Sequence, residues 1–396
     1  MKKDILFINP SLVVGGVERS LLNVLHFLDY DRYEVDLFLL EETGLFVKEI
    51  PKEVQVIKAP EEAAVFLKKW PEALVKLFLL SPKGFFLRLL KMAAGTSPGF
   101  RNYASQKDWL LVKHLIPPLA KTYDVVVGYK QTLPIYLAVD KVKAKKRIGF
   151  IHSDYEQGGY DPAFDAPYFQ KLDYLAAVSP SGERALKTRF SDIRERIVHL
   201  QNPISAKRLF ALAKKTGSPY RAKPGWHLVT VGRLIPVKGY DLALKALRIL
   251  KEEGYPVHWH WVGDGPDRQV LQAMVNDLGL KEEFVFWGEQ ENPYPFIHYA
   301  DVYCQPSRWE GFGMALDEAR ALHKAFVSTR FPAADERIED AIDGILCEVD
   351  PVSIAGAVKR LLDNPVLKTS IEEVLKKKQT ASSREQIAAF LSLIES

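Results

Sequence analysis

A chain of 396 residues, 47% hydrophobic and 26% charged, is too long for one ordinary core and too apolar for disorder, so two folded domains are expected. The 54 basic residues exceed the 50 acidic ones by only four, which gives no reason to expect a nucleic-acid partner. No apolar run reaches 18 residues, so an ordinary transmembrane helix is excluded.

The chain begins "MKKDILFINPSLVV". Asp4, Asn9 and Pro10 interrupt its apolar run, so it reads as a buried strand with a cytoplasmic start and not as a signal peptide. Val17, Leu21, Val24, Leu25 and Leu28 then fall on one face of a helix. Strand candidates follow at "YEVDLFLL", "VQVIKAP", "YDVVVGYK", "KRIGFIHSD", "YLAAVSP" and "RIVHLQNP". A second series begins at "WHLVTVGRL" and continues through "VHWHWVGDG", "EFVFWGE", "DVYCQPS", "AFVST" and "GILCEV", with helical patterns such as "YDLALKALRILKEEG" between them. Wholly apolar strands alternating with helices predict parallel sheets covered on both faces. The fold class is α/β, with two doubly wound Rossmann-like domains facing across a cleft. Cys304 and Cys347 lack metal-ligand spacing and read as buried thiols of a reducing compartment.

Residues 67–114 depart from this alternation. They hold nine Lys and Arg against Glu72 and Asp108, interleaved with Trp70, Phe78, Phe85, Phe86 and Trp109. Two readings stand: an amphipathic surface for an anionic membrane, or an insertion that packs its apolar face on its own domain while the lysines face water.

Four turns follow predicted strands. Gly15 and Gly16 permit close backbone approach before a helix N-terminus that favours anions. In "VGRLIPVKGYD", Arg233 and Lys238 suit a diphosphate, Arg as a planar fork and Lys as a point charge. "WVGDGPDRQ" needs only a structural role, a turn with proline at the helix start. In "PSRWEGFGMALDEARAL", Gly311, Phe312 and Gly313 lead into a helix, with Glu310 before it and Glu318 about a turn inside. A carboxylate at Glu318 can accept ribose hydroxyls, and Glu310 can face whatever lies beyond a diphosphate. The triplet "DYD" at 29–31 lies in a turn after the first helix and is rejected as a metal site.

"GGVERSLLNVL", "VTVGRLIPVKGYDLALKAL", "VGDGPDR", "EGFGMALDE" and "DGILCEVDP", in this order, resemble retaining, sugar-nucleotide-dependent glycosyltransferases of the GT-B fold, the family 4-like group with an E-x7-E element. The resemblance covers nearly the whole chain and is strongest over about 226–362. It implies an acceptor-side domain over 1–205, a nucleotide-sugar domain over 206–375 and a C-terminal helix over 376–396 packing back on the first domain. It further implies that Arg233 and Lys238 hold the donor diphosphate, Glu318 the ribose and Glu310 the donor sugar. The Gly311–Gly313 backbone would complete the anion site, Gly15 and Gly16 would approach the donor, and His152 would line the sugar pocket. The implied donor is a UDP-sugar and the acceptor a lipid-linked or polymeric glycan at the cytoplasmic face of a membrane, with no metal or other cofactor. "FPAADERIEDAIDG" departs from the group's pattern by carrying less glycine. An epimerase, a phosphorylase or a degenerate scaffold protein on the same fold are the alternatives.

Overall fold

The computed structural model describes residues 2–13, 15–68, 72–94, 104–220, 224–310 and 312–396. The chain divides into a first unit, residues 1–201 with 389–396, and a second, residues 202–388. The crossover thus falls between Gln201 and Asn202. A single helix, Pro365–Glu395, carries the chain out of the second unit, and its last turns belong to the first.

The first unit is built on seven strands: β1 (Lys3–Asn9), β2 (Tyr33–Leu39), β3 (Gln55–Lys58), β4 (Thr122–Gly128), β5 (Lys143–Ile151), β6 (Tyr174–Ala177) and β7 (Ile197–His199). All pair in parallel in the order β3-β2-β1-β4-β5-β6-β7. The second unit has six: β8 (Trp226–Val231), β9 (Val257–Val262), β10 (Phe284–Gly288), β11 (Val302–Gln305), β12 (Phe326–Thr329) and β13 (Ile345–Cys347). These are also parallel, in the order β10-β9-β8-β11-β12-β13. The apolar strands lie between two helical layers, so they read as continuous runs: Ile5, Leu6, Phe7 and Ile8 are all fully buried.

Each sheet has one switch point, where the order reverses and the loops after adjacent strands diverge to opposite faces. These are β1/β4 in the first unit and β8/β11 in the second. Open parallel sheets bind ligands at this place, at the carboxyl ends of the strands.

Core packing positions both. In the first unit Trp109 is fully buried and donates its indole N–H to Asp140 at 2.9 Å, which anchors the helix Ala104–Val112 to the main core. In the second unit the indoles of Trp259 and Trp261 donate to the Thr230 hydroxyl at 3.0 Å and the Gly232 carbonyl at 2.8 Å, fixing the end of β8. At the second switch point the loops after β8 and β11 touch backbone to backbone. Gly239 has φ +70°, and a Cβ there would lie 1.8 Å from the Pro306 carbonyl oxygen. Gly263 and Gly265 serve the same purpose one strand over, since a Cβ on either would strike the Gly232 or Leu234 carbonyl at 2.1 and 2.4 Å. This is the structural role expected of "WVGDGPDRQ".

Gly239→Ala is therefore expected to destabilise the protein by about 3 kcal/mol or more, since it adds a backbone clash to left-handed strain. Gly356→Ala, in the middle of the helix Pro351–Leu362 with open space around it, is expected to stabilise by about 0.5–1 kcal/mol. Denaturant melts of the two variants against the parent check both signs.

Candidate functional site

The loops of the second switch point, 232–239 and 306–313, are tied by Arg308. Its backbone N–H donates to the Val237 carbonyl at 2.8 Å. Its guanidinium donates to the Pro236 carbonyl at 2.6 Å and to both Asp241 carboxylate oxygens at 2.8 and 2.7 Å. From β12 the Thr329 hydroxyl reaches the Gln305 and Ser307 carbonyls at 3.1 and 2.5 Å.

Between these ties lies a polar cluster. The Lys238 ammonium donates to both oxygens of Glu310, at 2.6 and 2.7 Å. Glu310 Oε1 also accepts from the Gln305 amide at 2.8 Å and the Ser307 hydroxyl at 2.7 Å. Tyr303 donates to the Gln305 carbonyl oxygen, which turns the amide N–H2 toward Glu310 and Ser307. The two charged side chains are only 22% and 10% exposed. Removing such a pair from water costs as much as the attraction returns, so stability alone does not account for it. Two of the three ammonium donors face Glu310, which leaves one for a further acceptor. Arg233, on the same loop, is exposed and forms no ion pair among the described residues. The sequence assigned Lys238 and Glu310 to different parts of a ligand; here the lysine holds the glutamate.

Glu318 lies on the helix Met314–Ala321 behind this cluster, 6% exposed, and accepts from the Tyr294 hydroxyl at 2.9 Å. Gly313 caps that helix at φ +81°, and Gly311 lies outside the described residues. The Phe312 ring is buried, with the Arg337 guanidinium 4.3 Å from its centroid, so only its backbone remains for a ligand. Arg337 donates to the Phe312 carbonyl, to the Ala333 carbonyl at 2.7 Å and to Asp317 at 2.8 Å. Burial lowers its pKa and the Asp317 carboxylate opposes this, leaving a charged clamp on the glycine turn.

In the first unit the residues after β1, β4 and β5 converge. Gly15 makes room for Glu18, whose carboxylate oxygen would lie 2.4 Å from a Cβ there, and Glu18 pairs with Lys130 at 3.0 Å. Gly16 opens the helix Gly16–Phe27. The next residue but one after Lys130, Thr132, has φ +69° and ψ −120°, a conformation that costs a β-branched residue about 1–3 kcal/mol and concentrates at ligand sites. Between them Gln131 accepts from the His152 backbone N–H at 3.2 Å and donates to the Ser153 and Tyr160 hydroxyls at 3.1 Å each. The His152 ring is buried beside Tyr129 and Phe150, at 5.1 and 5.6 Å between centroids. Neither ring nitrogen has a hydrogen-bond partner among the described residues. Desolvation, reinforced by the Lys130 charge, drives its pKa down to about 3, so the ring is neutral. A buried imidazole with two unsatisfied nitrogens is an unusual expense unless a ligand answers it.

Residues 218–379 match the family Glycosyl transferases group 1. The matched stretch lies wholly within the second unit and contains Arg233, Lys238, Glu310 and Glu318. A lipopolysaccharide core biosynthesis glycosyltransferase, LpsD of Rhizobium meliloti, is 30% identical over 143 residues, 36% of this chain and 40% of that one. A GDP-mannose-dependent alpha-(1-6)-phosphatidylinositol monomannoside mannosyltransferase of Mycolicibacterium smegmatis is 33% identical over 148 residues, 35% and 39% of the two chains. The matched stretch thus spans about two fifths of the length of these relatives. Anabaena HepE, solved with UDP-glucose, shares the fold across 98% of this chain and 99% of its own, with TM-score 0.68 and 17% identity. The fold is accordingly GT-B, with two Rossmann-like domains.

Gln305, Ser307, Tyr303, Tyr294 and Arg337 in the second unit, and Lys130–Thr132 in the first, were not anticipated from sequence. The signal available was polar residues placed directly at the carboxyl ends of apolar strands, in "CQPS" and "GYKQT".

The neutral His152 carries a pH prediction. Its folded value lies below the unfolded one near 6.5, so the unfolded chain takes up a proton first on acidification. The stability it contributes is complete above about pH 6.5 and is lost as pH falls toward 3, with a slope of up to about 1.4 kcal/mol per pH unit. Denaturant melts between about pH 7 and 5 should show that His152→Gln lacks this part of the slope. Equal slopes in the two proteins would mean that the imidazole takes up its proton over the same pH range in the folded and unfolded chains.

Proposed function

We propose that this protein is a retaining glycosyltransferase that moves a sugar from a UDP-sugar to a hydroxyl of a lipid-linked or polymeric glycan. The observation that carries the reading is the second switch point, where the exposed Arg233 and the Lys238–Glu310 pair lie on two tied loops and the buried Glu318 on the helix that follows, all within the stretch that matches glycosyl transferases group 1. The LpsD and mannosyltransferase relatives support glycan chemistry, and the UDP-glucose bound by HepE supports the donor class.

In this reading Arg233 and the remaining Lys238 donor hold the diphosphate, together with the backbone from Gly311 to Gly313. Glu318, buried and held by the Tyr294 hydroxyl, takes the ribose. Glu310, oriented by Lys238, Gln305 and Ser307, faces the donor sugar. For the first unit the reading carries over Gly15, Gly16 and His152 as ligand contacts, His152 accepting from or donating to a sugar hydroxyl as a neutral imidazole. A bond forms between the acceptor oxygen and the anomeric carbon while the bond from that carbon to the phosphate oxygen breaks. The acceptor proton passes to the departing phosphate oxygen on the same face, which retains configuration. No protein nucleophile is required; the chain supplies position and fixed positive charge, which takes the place of a metal at the diphosphate.

A panel of UDP-, GDP- and ADP-sugars read by thermal shift should give stabilisation with a UDP-sugar, and product NMR should give an unchanged anomeric configuration. Arg233→Ala and Lys238→Ala are expected to lower turnover by about a hundredfold, and Glu318→Ala to weaken donor binding at least tenfold. Unaltered kinetics in all three variants refutes the site. Donor conversion without any acceptor points instead to an epimerase.

A further inference from the structure

The insertion after β3 forms a helical hairpin, Glu72–Leu80 and Pro82–Ala94, that is apolar on more than its inward side. Its inward positions include Leu77, fully buried, and Arg88, 6% exposed. Arg88 donates to the Phe66 carbonyl and, at 2.7 Å, to the Lys68 carbonyl. The other cations also have partners in the unit, although Lys76 and Lys83 remain exposed. Lys76 pairs with Glu61 at 2.6 Å, Lys91 pairs with Asp108 at 2.6 Å, and Lys83 donates to the His114 carbonyl at 2.8 Å. Beside the exposed Lys76 and Lys83, the two helices show large apolar side chains to solvent. Val75, Phe78 and Leu79 on the first, and Phe86, Leu89 and Leu90 on the second, follow the same i, i+3, i+4 spacing. Their exposures run from 40% for Leu89 to 77% for Leu79. Leu77, Phe85 and Leu87 pack on the core of the first unit, so the exposed triplets are apolar surface beyond what that packing uses.

We propose that this hairpin is a membrane-docking surface that inserts its two apolar triplets shallowly into a bilayer containing anionic lipid. Scattered exposed leucines are ordinary; six large apolar side chains in two helical stripes between positions 75 and 90 are not. Phe78 meets Phe85 edge-on at 5.3 Å, which joins the helices through their rings. Lipid tails need no shape complementarity and no hydrogen-bonding rim, and the triplets offer neither. Charge fits the same occupant. Over 72–94 there are four cations, Lys76, Lys83, Arg88 and Lys91, against the single acid Glu72. Lys76 and Lys83 adjoin the triplets with flexible stems that can carry their ammonium groups to headgroup phosphates. Because these lysines already have partners in the protein, apolar insertion is the dominant contribution and electrostatics the lesser.

Flotation of the full chain with vesicles tests this without reference to sugar transfer. The parent is expected to float with phosphatidylethanolamine–phosphatidylglycerol vesicles and to retain most of that binding in about 0.5 M salt, where surface charge is screened. Leu79→Ser/Phe86→Ser should cut the floated fraction roughly tenfold or more while leaving the melting temperature unchanged, since both side chains are exposed. Lys76→Gln/Lys83→Gln should cut it less. A parent that fails to float, an apolar variant that floats like the parent, or binding abolished by salt overturns the proposal. Loss of a parent dimer in the serine variant, without flotation of either, assigns the face to a second copy instead. UDP-sugar thermal shift of the serine variant should match the parent, so a failed donor reading and a failed docking reading are separable.

Discussion

The second unit depends on one contact: the Gly239 backbone against the Pro306 carbonyl, at a distance that admits no side chain. Two loops leaving adjacent strands at a switch point normally diverge. Here they are brought together, and the Arg308 bonds to Val237, Pro236 and Asp241 hold them there. Everything polar that follows uses that closeness. Lys238 can reach both oxygens of Glu310 only because residue 239 has no Cβ to push the loops apart.

The resulting pair reconciles charges that look opposed. A carboxylate beside an intended diphosphate site would repel it, yet Glu310 is neutralised by Lys238 and by the donors of Gln305 and Ser307. The net positive charge left on the loops is that of Arg233, which stands exposed. The pair also fixes a carboxylate whose rotamers would otherwise be free, and the entropy of ordering it is met at folding, before any ligand arrives. Glu318 is handled similarly, buried and held by Tyr294, as a carboxylate aimed by its neighbours.

The first unit treats its polar groups differently. Glu18 and Lys130 satisfy one another, but the His152 ring nitrogens have no hydrogen-bond partner within bonding geometry among the described residues, and Thr132 has a strained backbone. Unsatisfied and strained groups on the loops of the first unit's own sheet, close to its switch point, are the features that packing alone does not explain. They sit on the loops after the neighbouring strands β4 and β5, where a ligand contact would be held in place by the sheet.

Strand periodicity determined the architecture from sequence: all thirteen apolar runs are strands, because a strand buried on both faces must be apolar throughout. The glycine turns and the residues at their ends were legible for the same reason, since close backbone approach admits only glycine. What tertiary structure alone decided was partnership and direction. That Lys238 grips Glu310, that Arg337 clamps Phe312 and that Gln305 and Ser307 complete the cluster all depend on contacts between strands far apart in the chain. The hairpin over 72–94 shows the limit most plainly. Its sequence reads as basic and amphipathic with either face outward, and only the tertiary partners Glu61, Asp108, Phe66 and His114 and the core beneath decide that Arg88 is buried while the apolar stripes stay exposed.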